Sequence, residues 1–387
     1  MKSRTLILLS LAILLGAACS PMEKPETGTV TLAFRVGEPA TRAGDGNVTD
    51  GSGIYCTKVA GPPVVYTPDL HIFICDRETG EVVKHFPEVG NVEECDWVSG
   101  DKATYLAVAF SFSGEGTYSV YALANVGTTG SNLEIPSLAG VTNASQLDAM
   151  ILTLTDSALA TDPNTAPDLG DRMPLSAKGT LNVQRGLSAG NYIGHVELQM
   201  LRCVNQVQLS FKNLTGEELN LYNCVVTFKQ LNAKQGWLFP ADPDFVELGD
   251  GADSDKFDDN YRDYVSTAKD LTGIPASSEV PLFTTPIRFF PSEAPMQTTP
   301  SKGKRYLCDI TFRIVRSGKT YDPSKSSTYD VKNFTNLPIH DPNSQDILSL
   351  GRNQYLQIVT TVSKGNDVSF NFRVKEWTEH HATVEFN

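Results

Sequence analysis

Apolar and polar residues alternate along much of the chain, and this period-two pattern constrains the fold more than any other feature. Within residues 29–36 the apolar side chains on one face of an extended strand are Val30, Leu32, Phe34 and Val36. Similar runs recur at 70–74, 105–112, 118–126, 196–200, 204–211, 221–231, 306–315, 355–362 and 368–374. Many short strands with Gly- and Pro-containing turns are typical of β-sandwiches, so the sequence predicts a mainly β protein with few short helices.

Two local elements are predicted besides the strands. Leu147, Ile151 and Leu154 follow helical spacing, which predicts a helix over residues 145–159 with Ser145 as the N-cap. Residues 113–116 are rich in glycine and separate two strand patterns, which predicts a β-hairpin at that point.

The N-terminus has the arrangement of an export signal. Lys2 and Arg4 precede an apolar run of roughly ten residues, whereas a membrane-spanning helix needs about 20. Small residues then lead to Cys19, so the segment is similar to the lipobox at which bacterial signal peptidase cuts before a lipid-modified cysteine. Gly16 stands where leucine is commoner in that motif. An ordinary secretory signal with an incidental Cys19 is the alternative.

Length and charge limit the domain organisation and the partners. A chain of 387 residues favours two domains. We predict a signal peptide at 1–18, a lipidated tether at 19–27, an N-terminal β-sandwich at 28–186 and a C-terminal β-sandwich at 190–387, joined by a glycine-containing linker. The net charge of −13 becomes more negative once the basic leader is removed, which argues against a nucleic-acid partner.

The cysteines leave two interpretations open. Apart from Cys19, six cysteines remain, namely Cys56, Cys75, Cys95, Cys203, Cys224 and Cys308. An even number in an oxidising compartment permits disulfides. Cys75 and Cys203 lie within apolar strand patterns, however, which is equally typical of buried free thiols. The chain has no CxxC or Cys/His spacing of a zinc site.

Three segments contain residues of the types found in catalytic or metal-binding sites. Residues 186–190 match GxSxG, but the flanking sequence lacks the buried strand and following helix of a nucleophile elbow. The aspartates of residues 242–263 offer oxygen ligands for calcium without the spacing of an EF-hand. His380 and His381 are adjacent, so in a strand they point to opposite faces. The sequence therefore predicts no enzyme, no catalytic residue, no metal site and no cofactor.

Several short segments occur in an order that resembles the fimbrillin superfamily of Bacteroidales, which includes major and minor fimbrium subunits. The resemblance covers almost the whole chain and is carried by residues 39–43, 121–126, 172–175, 196–202, 351–355 and 374–377. It implies two tandem transthyretin-like β-sandwich domains and assembly into type V pili that contribute to adhesion.

The same resemblance implies a maturation pathway and its partners. The subunit travels to the cell outer membrane as a lipoprotein, in contact with membrane lipid. An arginine-specific protease then removes the lipid together with a first strand. The groove left behind is filled by the C-terminal strand of another fimbrial subunit, of the same or an accessory kind, and the processed protein resides in the fimbrium.

Particular residues fit these roles. Arg42–Ala43, in a loop, is the candidate cleavage site, and residues 28–42 form the removable segment with Val30, Leu32, Phe34 and Val36 as the displaced apolar edge. Arg35 is a poorer cleavage candidate because it lies within the strand. Ala382, Val384 and Phe386 alternate at the C-terminus and are the candidate donor strand. The alternative is that they simply complete the second sandwich.

Two other functions remain open at this point. An uncleaved anchor subunit of the pilus would keep Cys19 and its lipid. A surface glycan-binding lipoprotein of a polysaccharide uptake system would also be a lipid-anchored pair of sandwiches. Such a protein needs an exposed aromatic platform, for which Trp97, Trp237 and Trp377 are the candidates, although tryptophans of a sandwich are more often buried.

Overall fold

A computed structural model shows a chain whose described residues are mainly in β-strands. It describes residues 28–36, 54–59, 65–86, 95–97, 102–112, 114–126, 133–154, 173–186, 192–233, 235–239, 261–283, 286–290, 292–297, 303–341 and 343–376. Within these ranges a single short α-helix accompanies the strands, which confirms the mainly β prediction. No helix among the described residues is long and apolar enough to cross a membrane.

The described residues of the first half form twelve strands and the helix. Their bounds are β1 Gly28–Val36, β2 Ile54–Val59, β3 Val65–Pro68, β4 Leu70–Asp76, β5 Val82–Phe86, β6 Cys95–Trp97, β7 Lys102–Phe112, β8 Gly116–Ala124, β9 Leu133–Glu134, α1 Ala144–Asp148, β10 Ile151–Leu154, β11 Leu175–Arg185 and β12 Tyr192–Arg202.

In the second half, the part of the chain that the structure describes forms fifteen strands. Their bounds are β13 Asn205–Leu214, β14 Leu219–Ala233, β15 Gln235–Trp237, β16 Tyr261–Val265, β17 Lys269–Ile274, β18 Glu279–Pro281, β19 Ile287–Phe289, β20 Ser292–Glu293, β21 Met296–Gln297, β22 Gly303–Lys304, β23 Leu307–Val315, β24 Tyr329–Pro338, β25 Ser349–Leu350, β26 Gln354–Ser363 and β27 Val368–Glu376. Two 3-10 turns, Ser326–Thr328 and Lys364–Asn366, lie between these strands.

One ten-stranded sheet organises the first half. Its order is β3–β2–β7–β1–β12–β11–β8–β4–β5, with β6 against β7. Side chains from distant positions in this order, such as Ile54 of β2 and Ile72 of β4, belong to one buried cluster, so the sheet folds over on itself. β4 and β8 are buried on both faces, because Phe73 and Tyr121 pack into a second cluster behind the sheet. Strands covered on both sides carry near-continuous apolar runs, as these two do.

Two predictions about the first half are wrong. β12 pairs with β1 and β11, so residues 192–202 belong to the first sheet and not to the C-terminal domain predicted at 190–387. β7 and β8 do not form the predicted hairpin: in the described part of the chain β7 pairs with β1, β2 and β6, and β8 pairs with β4 and β11. Period-two alternation shows which face of a strand is buried but not which strand lies beside it.

The predicted helix is shorter than expected and has a different cap. It covers only Ala144–Asp148, and Asn143 forms a capping box with Gln146. The Asn143 side chain accepts a hydrogen bond from the Ser145 backbone N–H at 2.9 Å, and the Gln146 side chain accepts one from the Asn143 N–H at 3.0 Å. Ile151–Leu154 is β10 and not helix, because it pairs with β15 on one side and β9 on the other.

The second half is a β-sandwich of two five-stranded sheets. One has the order β18–β13–β26–β27 with β19 against β13, and the other β16–β14–β23–β24 with β17 against β14. Both sheets contribute to a single buried cluster, in which Phe211 and Phe312 meet edge to face at 5.1 Å between ring centroids. This cluster draws only on residues of the second half, so the sandwich has a core of its own.

A third cluster joins the two halves. It combines Tyr121 and Leu152 of the first half with Leu238 and Phe290 of the second. A three-stranded sheet, β15–β10–β9, also crosses between them. The halves therefore share an apolar interface and backbone hydrogen bonds in addition to the covalent connection.

Candidate strand-exchange site

β1 lies inside the first sheet, between β7 and β12. It pairs parallel with β12, from Thr29 opposite Ile193 to Val36 opposite Met200. On its other side it pairs antiparallel with β7, from Gly28 opposite Phe112. The backbone of β1 is thus engaged along both edges, and we call the space that it fills the β1 slot.

The side chains of β1 form part of the first core. Val30, Leu32 and Phe34 are each fully buried in the cluster enclosed by the folded sheet. At about 1.5–3 kcal/mol per buried side chain, these three contribute on the order of 5–9 kcal/mol of apolar burial. Ala33, on the opposite face, is also buried. The strand is therefore an integral part of the first half.

This position corrects one expectation. The apolar segment was predicted to be an edge of the sheet, whereas β1 has a strand on each side. Its removal would bare two backbone rims and not one. Because β1 is parallel to β12 and antiparallel to β7, the two rims run in opposite directions. A strand entering the slot in either direction would meet one parallel and one antiparallel neighbour.

The other predicted site residues lie outside the described residues. These are the lipidation candidate Cys19, the cleavage candidates Arg42 and Ala43, and the donor-strand residues Ala382, Val384 and Phe386. Val36 is the last residue of β1 and is paired through its backbone. The structure thus brings Val30, Leu32, Phe34 and Val36 together in one strand.

The GxSxG match, the acidic stretch and the adjacent histidines lie mostly outside the described residues. No group of three or more potential metal ligands occurs in the described part of the chain. Gly186 follows β11, and residues 187–190 of the GxSxG match lie outside the described ranges. Of the acidic stretch, Asp263 accepts a hydrogen bond from the Gln230 backbone N–H at 2.9 Å and lies 3.9 Å from the Lys229 ammonium. That carboxylate serves an ordinary surface contact.

Among the cysteines whose side chains the structure describes, four are free and buried: Cys75, Cys203, Cys224 and Cys308. Among them the buried-thiol interpretation is confirmed and disulfide bonding is excluded. Burial raises the pKa of Cys75 to about 11, with the nearby Asp148 charge adding to the effect, and raises the pKa of Cys224 to about 12. These shifts are opposite to those that activate a cysteine nucleophile.

A charged cluster at the rear of the first sheet holds the helix in place. The Lys178 ammonium lies 2.7 Å from Asp148 at the end of α1 and 4.7 Å above the Tyr121 ring. Tyr121 donates its hydroxyl to the same carboxylate at 3.1 Å. Burial raises the pKa of Tyr121, while the pKa of Lys178, which burial alone would lower, is raised by its hydrogen bonds to Asp148 and Tyr121. The raised pKa values keep the Tyr121 hydroxyl neutral and the Lys178 ammonium charged, so the cluster is a structural tie.

The glycan-binding alternative required an exposed aromatic platform. Among the described residues, aromatic rings gather on the outer face of the β14–β23–β24 sheet, but they cover one another. Tyr222 and Tyr321 stack at 3.9 Å, and Arg313 lies 4.8 Å from the centre of the Tyr329 ring. Arg313 also donates to the Tyr321 hydroxyl at 2.7 Å. Trp237 is half-buried in β15 and forms no such platform.

Comparison with known proteins identifies the fold. The sequence matches no protein-family model and no curated protein. Among solved structures, a candidate cell adhesion protein from Parabacteroides distasonis superposes with a TM-score of 0.51 at 12% identity, over 92% of this chain and 98% of that one. The tip fimbrial protein Mfa3 of Porphyromonas gingivalis gives 0.49 at 11% identity over 91% and 100% of the two chains. A fimbrilin of Porphyromonas gingivalis W83 gives 0.48 at 12% identity over 92% and 99%.

The chain has the fold of the candidate Parabacteroides distasonis cell adhesion protein. The likeness extends over nearly the whole length of both chains, and the resemblance predicted from the short segments is confirmed at the level of the fold. At 12% identity the comparison shows the fold alone, so the role of each residue is inferred from the geometry of this chain. Among the described residues, the feature of this fold that bears most directly on strand exchange is the β1 slot.

Proposed function

We propose that this protein is a structural fimbrial subunit that assembles by strand exchange and contributes to adhesion. In this proposal, Cys19 carries a lipid that holds the precursor at the outer membrane. An arginine-specific protease cuts after Arg42 and releases residues up to that point, including β1. The C-terminal strand of another subunit, of the same or an accessory kind, then enters the β1 slot. The two halves correspond to tandem transthyretin-like domains.

The observation that supports this proposal most strongly is the internal position of β1 near the start of the chain. A first strand whose three core side chains are fully buried cannot leave without opening a long apolar groove. Loss of about 5–9 kcal/mol of apolar burial is comparable to the total stability of a typical domain. The opened sheet would therefore have a strong drive to take up a replacement strand.

The backbone supports the same proposal. Removal of β1 would leave β7 and β12 with unpaired N–H and C=O groups facing each other across the slot. Exposed strand edges bind extended segments by continuing the hydrogen-bond ladder. The incoming strand would be bonded along both sides, which favours an assembly that dissociates slowly.

A cleavage experiment tests the proposal. Purified precursor is treated with an arginine-specific protease, and the products are analysed by SDS gel electrophoresis without boiling and by electron microscopy. We expect SDS-resistant ladders or fibres from the wild type. Arg42→Gln should remain uncut at that position and monomeric, whereas Arg35→Gln, changed within β1, should be cut and should polymerise.

The contrary result is equally definite. Wild-type protein that is cut after Arg42, loses β1 and stays monomeric would refute strand exchange. Wild-type protein that resists cleavage at Arg42 in its folded state would refute the processing step and would favour a subunit that retains its anchor.

A further inference from the structure

Arg352 lies in a tight turn at the point where the second half meets the first. The turn precedes β26, and the Gly351 N–H donates to the Gln354 side chain at 2.7 Å. Asn353 adopts a left-handed backbone conformation, with φ of 58°, which asparagine tolerates better than most residues. Arg352 and Asn353 are only 7% and 4% exposed, so the turn is buried although it is polar.

The Arg352 guanidinium reaches across to the ends of β11 and β12. Its Nε donates to the carbonyl of Arg202 at 3.2 Å, and its Nη2 donates to the carbonyl of Leu201 at 2.7 Å. The same Nη2 lies 2.7 Å from the hydroxyl of Ser176 and 3.6 Å from the thiol of Cys203. These partners are neutral, so a buried positive charge is held by the dipoles of strand ends. Hydrogen bonds to charged groups are stronger than neutral ones.

The contact is reciprocal. Arg202, which is fully buried at the end of β12, donates through Nη1 to the Asn353 side chain at 2.5 Å. The Asn353 backbone N–H donates to the carbonyl of Val204 at 3.0 Å. Two neighbouring residues of the second half thus form hydrogen bonds with Leu201, Arg202 and Val204 at the end of β12.

β12 and β26 lead to the two parts of the molecule that strand exchange would use, the β1 slot and the C-terminal segment. β12 forms one wall of the β1 slot. β26 begins directly after the Arg352 turn and pairs with β27, the last described strand before the C-terminus. Arg352 therefore lies between the strand that lines the slot and the strand pair that leads to the C-terminus.

We propose that Arg352 is a positioning residue that locks the two halves into one cooperative unit. The third apolar cluster, which we call the joint cluster, brings the halves together, but apolar contacts are not directional. The β10–β15 pairing between the halves is directional but covers only three residue pairs. The planar guanidinium, with donors in a fixed fork, sets one relative orientation. Without this guanidinium, the contact between the two halves (the joint) opens locally while each half keeps its own core. This inference concerns the uncut precursor and does not depend on strand exchange.

Thiol labelling of the full-length precursor tests the inference, with the modified cysteine identified by mass spectrometry. Cys203 reports on the joint, and Cys308 reports on the core of the second half. In Arg352→Met we expect Cys203 to be labelled about tenfold faster or more, relative to Cys308, because the local opening equilibrium rises when charge-assisted hydrogen bonds are lost. Arg373→Met, changed at an exposed arginine of β27, should leave the ratio unchanged.

Calorimetry supplies a second measurement. Wild type and Arg373→Met should each unfold in one transition, and Arg352→Met should unfold in two. Arg352→Lys keeps the charge but lacks the planar fork of donors. Its two transitions should therefore lie closer together than those of Arg352→Met without merging as in wild type. An unchanged labelling ratio with a single transition in Arg352→Met would overturn the inference. So would loss of β-sheet circular dichroism in both Arg352 variants, because the residue would then be needed by the halves themselves.

Discussion

The thiols of Cys75, Cys203, Cys224 and Cys308 show how burial sets the chemistry of individual residues in this protein. The strands of Cys75, Cys224 and Cys308 were predicted from alternation, whereas Cys203 lies between β12 and β13. In a low-dielectric core the neutral thiol is favoured over the thiolate, which is why burial raises the pKa values of Cys75, Cys224 and Cys308. Packing in the folded chain thus protects these thiols.

Because the pKa of Cys224 is raised, the free energy of unfolding should depend on pH in the alkaline range. The unfolded thiol loses its proton near pH 9.0, whereas the folded thiol keeps it until about pH 12. The thiol therefore contributes fully to the free energy of unfolding well below pH 9. This contribution is lost as the pH rises through 9 towards the pKa of the folded thiol. We expect the advantage of wild type over Cys224→Ala in free energy of unfolding to shrink between about pH 8 and pH 10.5.

Urea unfolding at a series of pH values measures this difference. Val226→Ala, in the same strand and the same core, removes apolar volume without removing a titrating group and is the matched control. The loss in free energy of unfolding caused by Val226→Ala should be independent of pH. A pH-independent deficit for Cys224→Ala as well would show that the thiol does not titrate differently in the folded protein.

At the scale of elements, β15 illustrates how a short strand can fix a joint. Gly236 is paired with Leu152 of β10, in the other half of the chain. A methyl group added at Gly236 would lie 2.5 Å from Cδ1 of Phe290, a ring buried in the joint cluster. The absence of a side chain is what lets the strand approach that ring.

The Gly236→Ala substitution should therefore destabilise the protein. The buried ring has little room to move, and overpacking of this kind costs about 1–3 kcal/mol. The urea midpoint should fall accordingly, while Gln235→Ala, exposed in the same strand, should unfold like wild type. A Gly236→Ala midpoint equal to that of wild type would mean that Phe290 and β15 can separate at little cost.

At the scale of the whole molecule, the second half carries a complete core within its described residues. The cluster extends from Val207 to Phe372, with Val374 packed against it. The first half, in contrast, depends on β1 for part of its core. Loss of a terminal segment should therefore affect the two halves very differently.

Deletion of residues 377–387 tests whether the C-terminal segment acts as a donor strand. If it is a donor, the truncated monomer should keep its free energy of unfolding within about 0.5 kcal/mol, because surface changes away from the core are of that order. After cleavage it should form no SDS-resistant ladders, while full-length protein treated in parallel should form them. A loss of several kcal/mol in the monomer would instead show that the segment completes the second sandwich.

The sequence by itself determined the local properties of this protein. Alternation located most strands and the buried faces of segments such as Val30 to Phe34, because a strand repeats every two residues whatever its surroundings. The tertiary structure alone decided which strands are neighbours: β1 between β7 and β12, β12 in the first sheet, and Ile151–Leu154 as a strand and not part of a helix. It also decided the role of Arg352, whose partners lie about 150 residues away in sequence. Pairing and buried polar contacts depend on groups distant along the chain, and no periodicity within a segment encodes them.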